Sequence, residues 1–340
     1  MQIAQRKTKI LKAIVEAYIK NGEPVGSKLL CNVLDFPVSS ATVRNEMAEL
    51  SELGFLLQPH TSAGRVPSEQ GYRLYVNSLM DKKSLPGETK ALIYDKLIRA
   101  GDDPEKLLRA AAKTIAELTR SAVIAAAPSA EDARIHRLRF VQTGLKTGMA
   151  ILITSGGLIR TALFKCDYVI TPEIIRVFES MFNRSMEGVL IKRITPAFVQ
   201  TLAVEMGDLV LLVPSVLAAV MTACHDVGGS RIIVRGRTNL ISDGSDIGTE
   251  LLKFVHDDDS LEALTERISR KDGIAIGTET GFDELSGCSV LSCRYNTEAT
   301  VTGSIAAIVP MRTDYAYDMA GLEYTAKCVS ELLKTLLMID

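Results

Sequence analysis

The sequence is short of the residues on which catalytic and metal sites are built. Its four histidines (60, 136, 225 and 256) are isolated from one another, and its six cysteines include neither a C-x-x-C pair nor one with a histidine at ligand spacing. That excludes a sequence-local zinc site and argues against a disulfide framework; buried thiols in a reducing cytosol are expected. Long apolar runs are missing too. The longest uncharged stretch, Leu209 to Cys224, is 16 residues broken by Pro214-Ser215, short for a membrane span and suited to a buried helix. The opening MQIAQRKTKI lacks an apolar core with a small-residue cleavage site, so a cytoplasmic protein without a signal peptide is expected.

Nucleotide and hydrolase signatures are equally absent: no G-x-x-x-x-G-K-[ST], G-x-S-x-G, H-E-x-x-H, or G-x-G-x-x-G after a strand. The TSGG at 154–157 reads as a hairpin turn between two strands rather than a phosphate cradle. Asp257-Asp258-Asp259 lacks the alternating ligands and central glycine of a calcium loop, and reads as a solvated loop or a helix start. His225 ends an apolar helix, where capping is the commoner role. No enzyme, cofactor or metal is expected.

The remainder is an ordinary globular mixture, 47% hydrophobic and 24% charged, in 340 residues that allow two or three domains. The net charge of −2 hides an asymmetry, because residues 1–83 hold eleven Lys/Arg against eight Asp/Glu. Ile10, Leu11, Ile14, Val15, Tyr18 and Ile19 recur at helical spacing, and Asn21-Gly22 ends the run. A second short helix restarts at Ser27, a candidate N-cap, and a third runs from Ser39 or Ser40 to Gly54.

On the third helix Val43, Met47 and Leu50 share one side, while Ala41, Asn45, Ala48 and Glu52 fall opposite, flanked by Thr42 and Arg44. A solvated face favours long charged residues; the first two turns of this one offer small residues, hydroxyls, one amide and one guanidinium. Small residues permit close approach, Asn pairs with adenine, Arg with guanine, and Ala meets a thymine methyl. The helix N-terminus at Ser39 and Ser40 favours a phosphate. FLLQ, the polar loop PHTSAG and RVP then complete a winged helix-turn-helix pattern, whose loop offers His60, Thr61, Ser62 and Arg65 to the backbone or minor groove. A small helical bundle with a hairpin for protein contacts is the other reading.

After a helix from Ser68 to about Met80, residues 81–103 read as a linker. Helix and strands over 104–170, a helical block over 171–235, then strands and a final helix over 236–340 suggest an α/β domain with a mainly helical insertion. The apolar run there exceeds what one small domain needs, so a homodimer contact is expected at Val216, Leu217, Val220 and Met221.

The stretch VSSATVRNEMAELSELGFLLQPHTSAGRVPSEQGYRLYVNSLM resembles the signature of the HrcA heat-inducible transcription repressors of bacteria. VRGRTNLI, IAIGTET, CSVLSCRY and GSIAAIVPMRTDY resemble its later motifs in order, with VPMRTDY departing from the usual Gly-Pro-Thr-Arg-Met before Asp-Tyr. The resemblance implies an α+β multidomain protein: an N-terminal winged helix-turn-helix and a GAF-like α/β domain interrupted by an inserted dimerisation domain. It further implies repression of chaperone operons through an inverted-repeat operator in double-stranded DNA, CIRCE, with the chaperonin as the partner that keeps the repressor active. A metabolite-responsive regulator with an effector in the GAF-like domain is the competing reading; an enzyme with a DNA-binding appendage has only the size of the α/β region in its favour.

Overall fold

The computed structural model describes residues 5–60, 63–101, 103–127, 133–155, 157–195, 197–198, 201–202, 214–225, 232–240, 249–269, 272–298 and 301–337. The fold is α+β. Helices α1 (Gln5–Asn21), α2 (Ser27–Val33) and α3 (Ser40–Glu52) precede a two-stranded antiparallel hairpin, β1 (Leu56–Leu57) with β2 (Val66–Pro67). Ile10, Leu11, Ile14 and Val15 of α1 are buried against Val43, Met47 and Leu50 of α3, the stripes that helical spacing predicts. Gly22, at φ +76°, ends α1 in the left-handed conformation expected of Asn21-Gly22.

Helix α4 (Glu69–Leu74) continues as a π-helical turn to Leu79. The segment expected to be a linker at 81–103 instead contains α5 (Gly87–Ile98), which buries Ile93 and Leu97. Next come α6 (Pro104–Thr119), started by Pro104 with the Asp103 carboxylate accepting from the Glu105 and Lys106 N–H groups, and β3 (Ala122–Ala126).

The chain then leaves this unit. Strands β4 (Ile135–Gln142), β5 (Thr147–Thr154) and β6 (Ile159–Lys165) form a separate antiparallel sheet among the described strands, and α7 (Pro172–Met186) and α8 (Pro214–His225) cover one face of it. Phe140 lies at the centre of that core, with the rings of Phe164, Phe178 and Phe182 at 6.2, 5.9 and 5.4 Å. Strands β5 and β6, on either side of TSGG, pair antiparallel as a hairpin would; Gly156 lies outside the described residues. After β7 (Ile232–Arg235) come α9 (Thr249–Phe254), α10 (Asp258–Ser269), β8 (Gly273–Ile276), β9 (Cys288–Glu298), β10 (Val301–Pro310) and α11 (Tyr315–Leu337). Asp257 caps α10, accepting from the Ser260 N–H at 3.0 Å, so the acidic run is a helix start.

Strands β7-β3-β10-β9-β8 form one antiparallel sheet buried on both faces. Alternation sorts them: Val123, Ala125, Ile305, Ala307 and Val309 face α6 and α11, while Ile124, Val290, Ala306 and Ile308 face α9 and α10. The separate unit therefore lies between Ala127 and Ile232 rather than over 171–235, and its described residues hold the three strands β4–β6 as well as helices α7 and α8. Strand patterning at 135–165 was legible, but periodicity gives a strand its faces and not its neighbours.

Candidate nucleic-acid interface

Ser39 is the N-cap of α3. Its hydroxyl accepts from the Thr42 N–H at 3.1 Å and lies 2.9 Å from the Thr42 hydroxyl. Ser40 has another task, since its hydroxyl lies 2.8 Å from that of Ser27 and joins the starts of α2 and α3. Ser27 is thus the first helical residue of α2 and not its cap, which is Gly26. Ser39, Ala41, Arg44 and Asn45 are exposed, with Ser40, Thr42 and Ala48 half-buried, so the small-residue face expected from the sequence does point outward. No acidic residue occupies the first turn.

The opposite side of α3 is held by a charge. Glu46 is 5% exposed and accepts from Arg6 Nε at 2.7 Å, while Lys7 Nζ lies 3.3 Å from its second oxygen and 2.7 Å from Glu49. Burial pushes the Glu46 carboxyl up, but the hydrogen bond from Arg6 and the Lys7 ammonium beside its second oxygen outweigh it and hold the group below the usual range. Position 46 breaks the apolar stripe, and it clamps α3 onto the start of α1.

Behind α3 the chain turns at Gly54 (φ +82°) into the hairpin. Val25 and Arg65 exchange two backbone hydrogen bonds of 2.9 Å, adding a third strand-like segment beside β2. Gly64 makes this possible, because a Cβ there would stand 2.3 Å from the Val25 carbonyl oxygen. His60 is exposed on the loop; Thr61 and Ser62 lie outside the described residues. Arg65 is not at the loop tip. It is half-buried at the hairpin's root, its Nε donating to Ser51 Oγ of α3 at 3.0 Å, so its backbone and side chain brace the wing-like loop against α3.

Lys28, not among the residues expected at the interface, is exposed in the first turn of α2, where the helix dipole disfavours a cation, next to Ser27, whose hydroxyl meets that of Ser40.

The residues expected at a dimer contact are differently placed. Val216 and Val220 are fully buried and Leu217 is 8% exposed, packed with the inner faces of β5 and β6 in the chain's own core; Met221 is half-buried. The apolar run is long because a one-sided three-stranded sheet needs a helix to cover it. Among the described residues, the sheet's outer face carries uncovered apolar side chains: Val141, Ile159 and Leu163 are 43%, 53% and 74% exposed, with half-buried Met149, Ile151 and Ile153 on β5 between them and Arg137, Arg139 and Thr161 beside them. Among the described residues, no cluster of His, Cys, Asp and Glu could hold a metal ion, and no helix is long and apolar enough to cross a membrane.

The sequence profile of the HrcA protein C terminal domain matches residues 105–319. The heat-inducible transcription repressor HrcA of Alkaliphilus metalliredigens is 32% identical, with 98% of this chain and 99% of that protein aligned. That of Acetivibrio thermocellus is 29% identical over 100% of this chain and 99% of its own. The crystal structure of a hypothetical protein shares the fold, with a TM-score of 0.62 at 23% identity over 98% of this chain and 100% of that one.

Proposed function

The chain belongs to the HrcA family of heat-inducible transcription repressors, and from that premise we propose that it acts by laying α3 in the major groove of an inverted-repeat operator. The N-terminal three helices and hairpin serve as a winged helix. Arg44 and Asn45 read base edges, Ala41 and Thr42 allow the close approach, and Ser39, Ser40 and Lys28 meet phosphates at the converging starts of α2 and α3. The loop around His60 reaches the flanking backbone or minor groove. The observation that carries this reading is α3's outward face, which is exposed, capped and free of acid in its first turn yet built of short side chains beside one Arg and one Asn.

An inverted repeat calls for two copies. The second copy is the occupant that fits the outer face of the three-stranded sheet, where six apolar side chains from adjacent strands, three exposed and three half-buried, are not covered by any other described element. The five-stranded unit is read as GAF-like, and the chaperonin as the partner that returns the repressor to its active fold. A repressor near its stability threshold needs only about 1–2 kcal/mol of lost support to lose several-fold in active population. Refolded operator-binding activity should then rise when chaperonin is supplied; equal yields with and without it would remove that part.

A second reading, an effector-responsive regulator, draws on one observation. A cavity of about 430 Å³ opens between the N-terminal helices and the sheet, lined by Arg73 and Asn77 on one side and Arg267, Ile274 and Ser292 on the other, within the size range of ligand pockets. Titration of operator binding against a metabolite panel separates the two readings. The primary one is tested by binding of Arg44→Ala and Asn45→Ala variants to operator and scrambled duplexes.

A further inference from the structure

Two segments singled out in the sequence, IAIGTET and VPMRTDY, are remote from the nucleic-acid face, and both end against the N-terminal helices. From α4, Arg73 donates Nε–H to Glu279 at 2.7 Å, its terminal N–H groups to Glu279 and to the Ile274 carbonyl at 2.6 Å on the outer edge of β8. One turn earlier Glu69 accepts from the Thr278 N–H at 3.2 Å and the Thr278 hydroxyl at 2.7 Å. Gly277 (φ +53°) lets this turn lie flat on α4, since a Cβ there would come within 2.2 Å of the Glu69 carboxylate. On the other side Arg312 donates to the Ile19 carbonyl at 3.3 Å, beside Gly22, where a cation complements the C-terminal end of α1. Between the two turns the rings of Tyr72 and Tyr315 meet at 5.8 Å, and one buried cluster runs from Ile10 of α1 to Leu333 of α11.

The N-terminal unit is therefore docked in a socket. The Arg73 and Glu279 side chains are 27% and 41% exposed, so their pair adds little to stability. What a forked, two-point contact supplies at that exposure is direction. Glu279 is itself held by its own turn, accepting from the Ile276 N–H at 2.9 Å. Glu279 thus presents an oriented carboxylate to α4.

We propose that Arg73 and Glu279 are a positioning pair that sets the direction of α3 relative to the five-stranded sheet and, through a two-fold dimer, the separation of the two recognition helices. This rests on the DNA-binding reading above. Two helices held at the operator's own spacing gain affinity through effective concentration, and the gain is lost when geometry forbids simultaneous engagement.

The test uses the full chain as Arg73→Glu, Glu279→Arg and the double exchange. Each is bound to the inverted repeat, to repeats with the half-sites moved apart, and to a single half-site, and amide exchange of residues 276–280 is followed without DNA. Arg73→Glu should weaken full-site binding on the order of tenfold or more, leave half-site binding as in the parent, flatten the spacing preference and speed exchange at Ile276 and Thr278. The double exchange should restore the affinity, the spacing preference and slow exchange at Thr278, while Ile276 stays fast because a guanidinium at position 279 cannot accept from its N–H. A folded Arg73→Glu variant with the parent's spacing preference and exchange overturns the proposal, as does one that loses half-site binding equally, because Arg73 would then act on DNA itself. If the parent does not distinguish the repeat from scrambled DNA, the DNA-binding reading fails instead. The exchange data then decide the docking alone: unchanged rates refute it, and a Thr278 rate restored by the double exchange sustains it.

Discussion

Replacing Glu46 with Gln removes one charge from the junction of α1 and α3 while keeping the side chain's shape. The parent carboxylate is nearly buried and faces two cations, one at hydrogen-bond distance and one 3.3 Å away. An amide in its place keeps one acceptor for Arg6 but turns an N–H group toward the Lys7 ammonium. Breaking a fully buried pair costs about 3–5 kcal/mol. Here Arg6 is 56% exposed and can rehydrate, and Lys7 retains Glu49 at 2.7 Å. The loss should therefore be about 1–3 kcal/mol, the range for an unsatisfied buried group. Because the folded-state pKa of Glu46 lies below its ordinary 4.5, the carboxylate's contribution is present above that pH and lost as pH falls through the folded value. Denaturant and thermal melts of parent and variant from pH 7 down to about pH 3 should show a gap at neutral pH that closes in acid. Equal stability at pH 7, or a gap indifferent to pH, would refute this account of the α1–α3 clamp.

Asp318, near the start of α11, gives the opposite sign. Burial pushes its pKa up to about 6, against a hydrogen bond from the Thr313 hydroxyl, so the folded chain loses stability as pH rises from 3.8 through 6. Asp318→Asn should be more stable than the parent by about 1–3 kcal/mol at pH 8 and equal to it near pH 4 in thermal melts. Leu163→Glu, on the outer face of the insertion's sheet, should sediment as a folded monomer; a folded dimer would place the second copy elsewhere.

The N-terminal helices were legible because each carries a clean apolar stripe and a local stop signal, such as Gly22 at φ +76°. The outward face of α3 was legible for the same reason, since side-chain direction follows from position in a regular helix. Arg65 was misplaced because a loop's composition does not say where its tip is; the Val25–Arg65 backbone bridge, a contact between residues forty apart, decides it. The same limit explains the insertion's boundaries. Strand β3 is a continuous apolar run and strand β4 mixes polar with apolar residues, yet neither pattern names its partner: β3 pairs with β10, and β4 with β5. Val220 looked like an interface because length of apolar run cannot distinguish a helix that covers its own sheet from one that meets another chain. Helix α10 was foreshadowed only by its acidic start, and the docking turns only by resemblance, because their partners on α1 and α4 are some two to three hundred residues away.

The central claim is that α3 reads bases. Purified Arg44→Ala and Asn45→Ala variants, checked as folded by thermal melts, should each lose about 1–3 kcal/mol on the operator and relax base preference, with binding to scrambled duplex nearly unchanged. Lys28→Ala should weaken both duplexes alike and reduce the salt slope by about one unit. The deciding measurement is the ratio of operator to scrambled-duplex affinity for Arg44→Ala across a salt series. A ratio that falls at every salt concentration is the predicted result; a folded variant that keeps the parent's ratio would contradict the assignment of α3 as the reader.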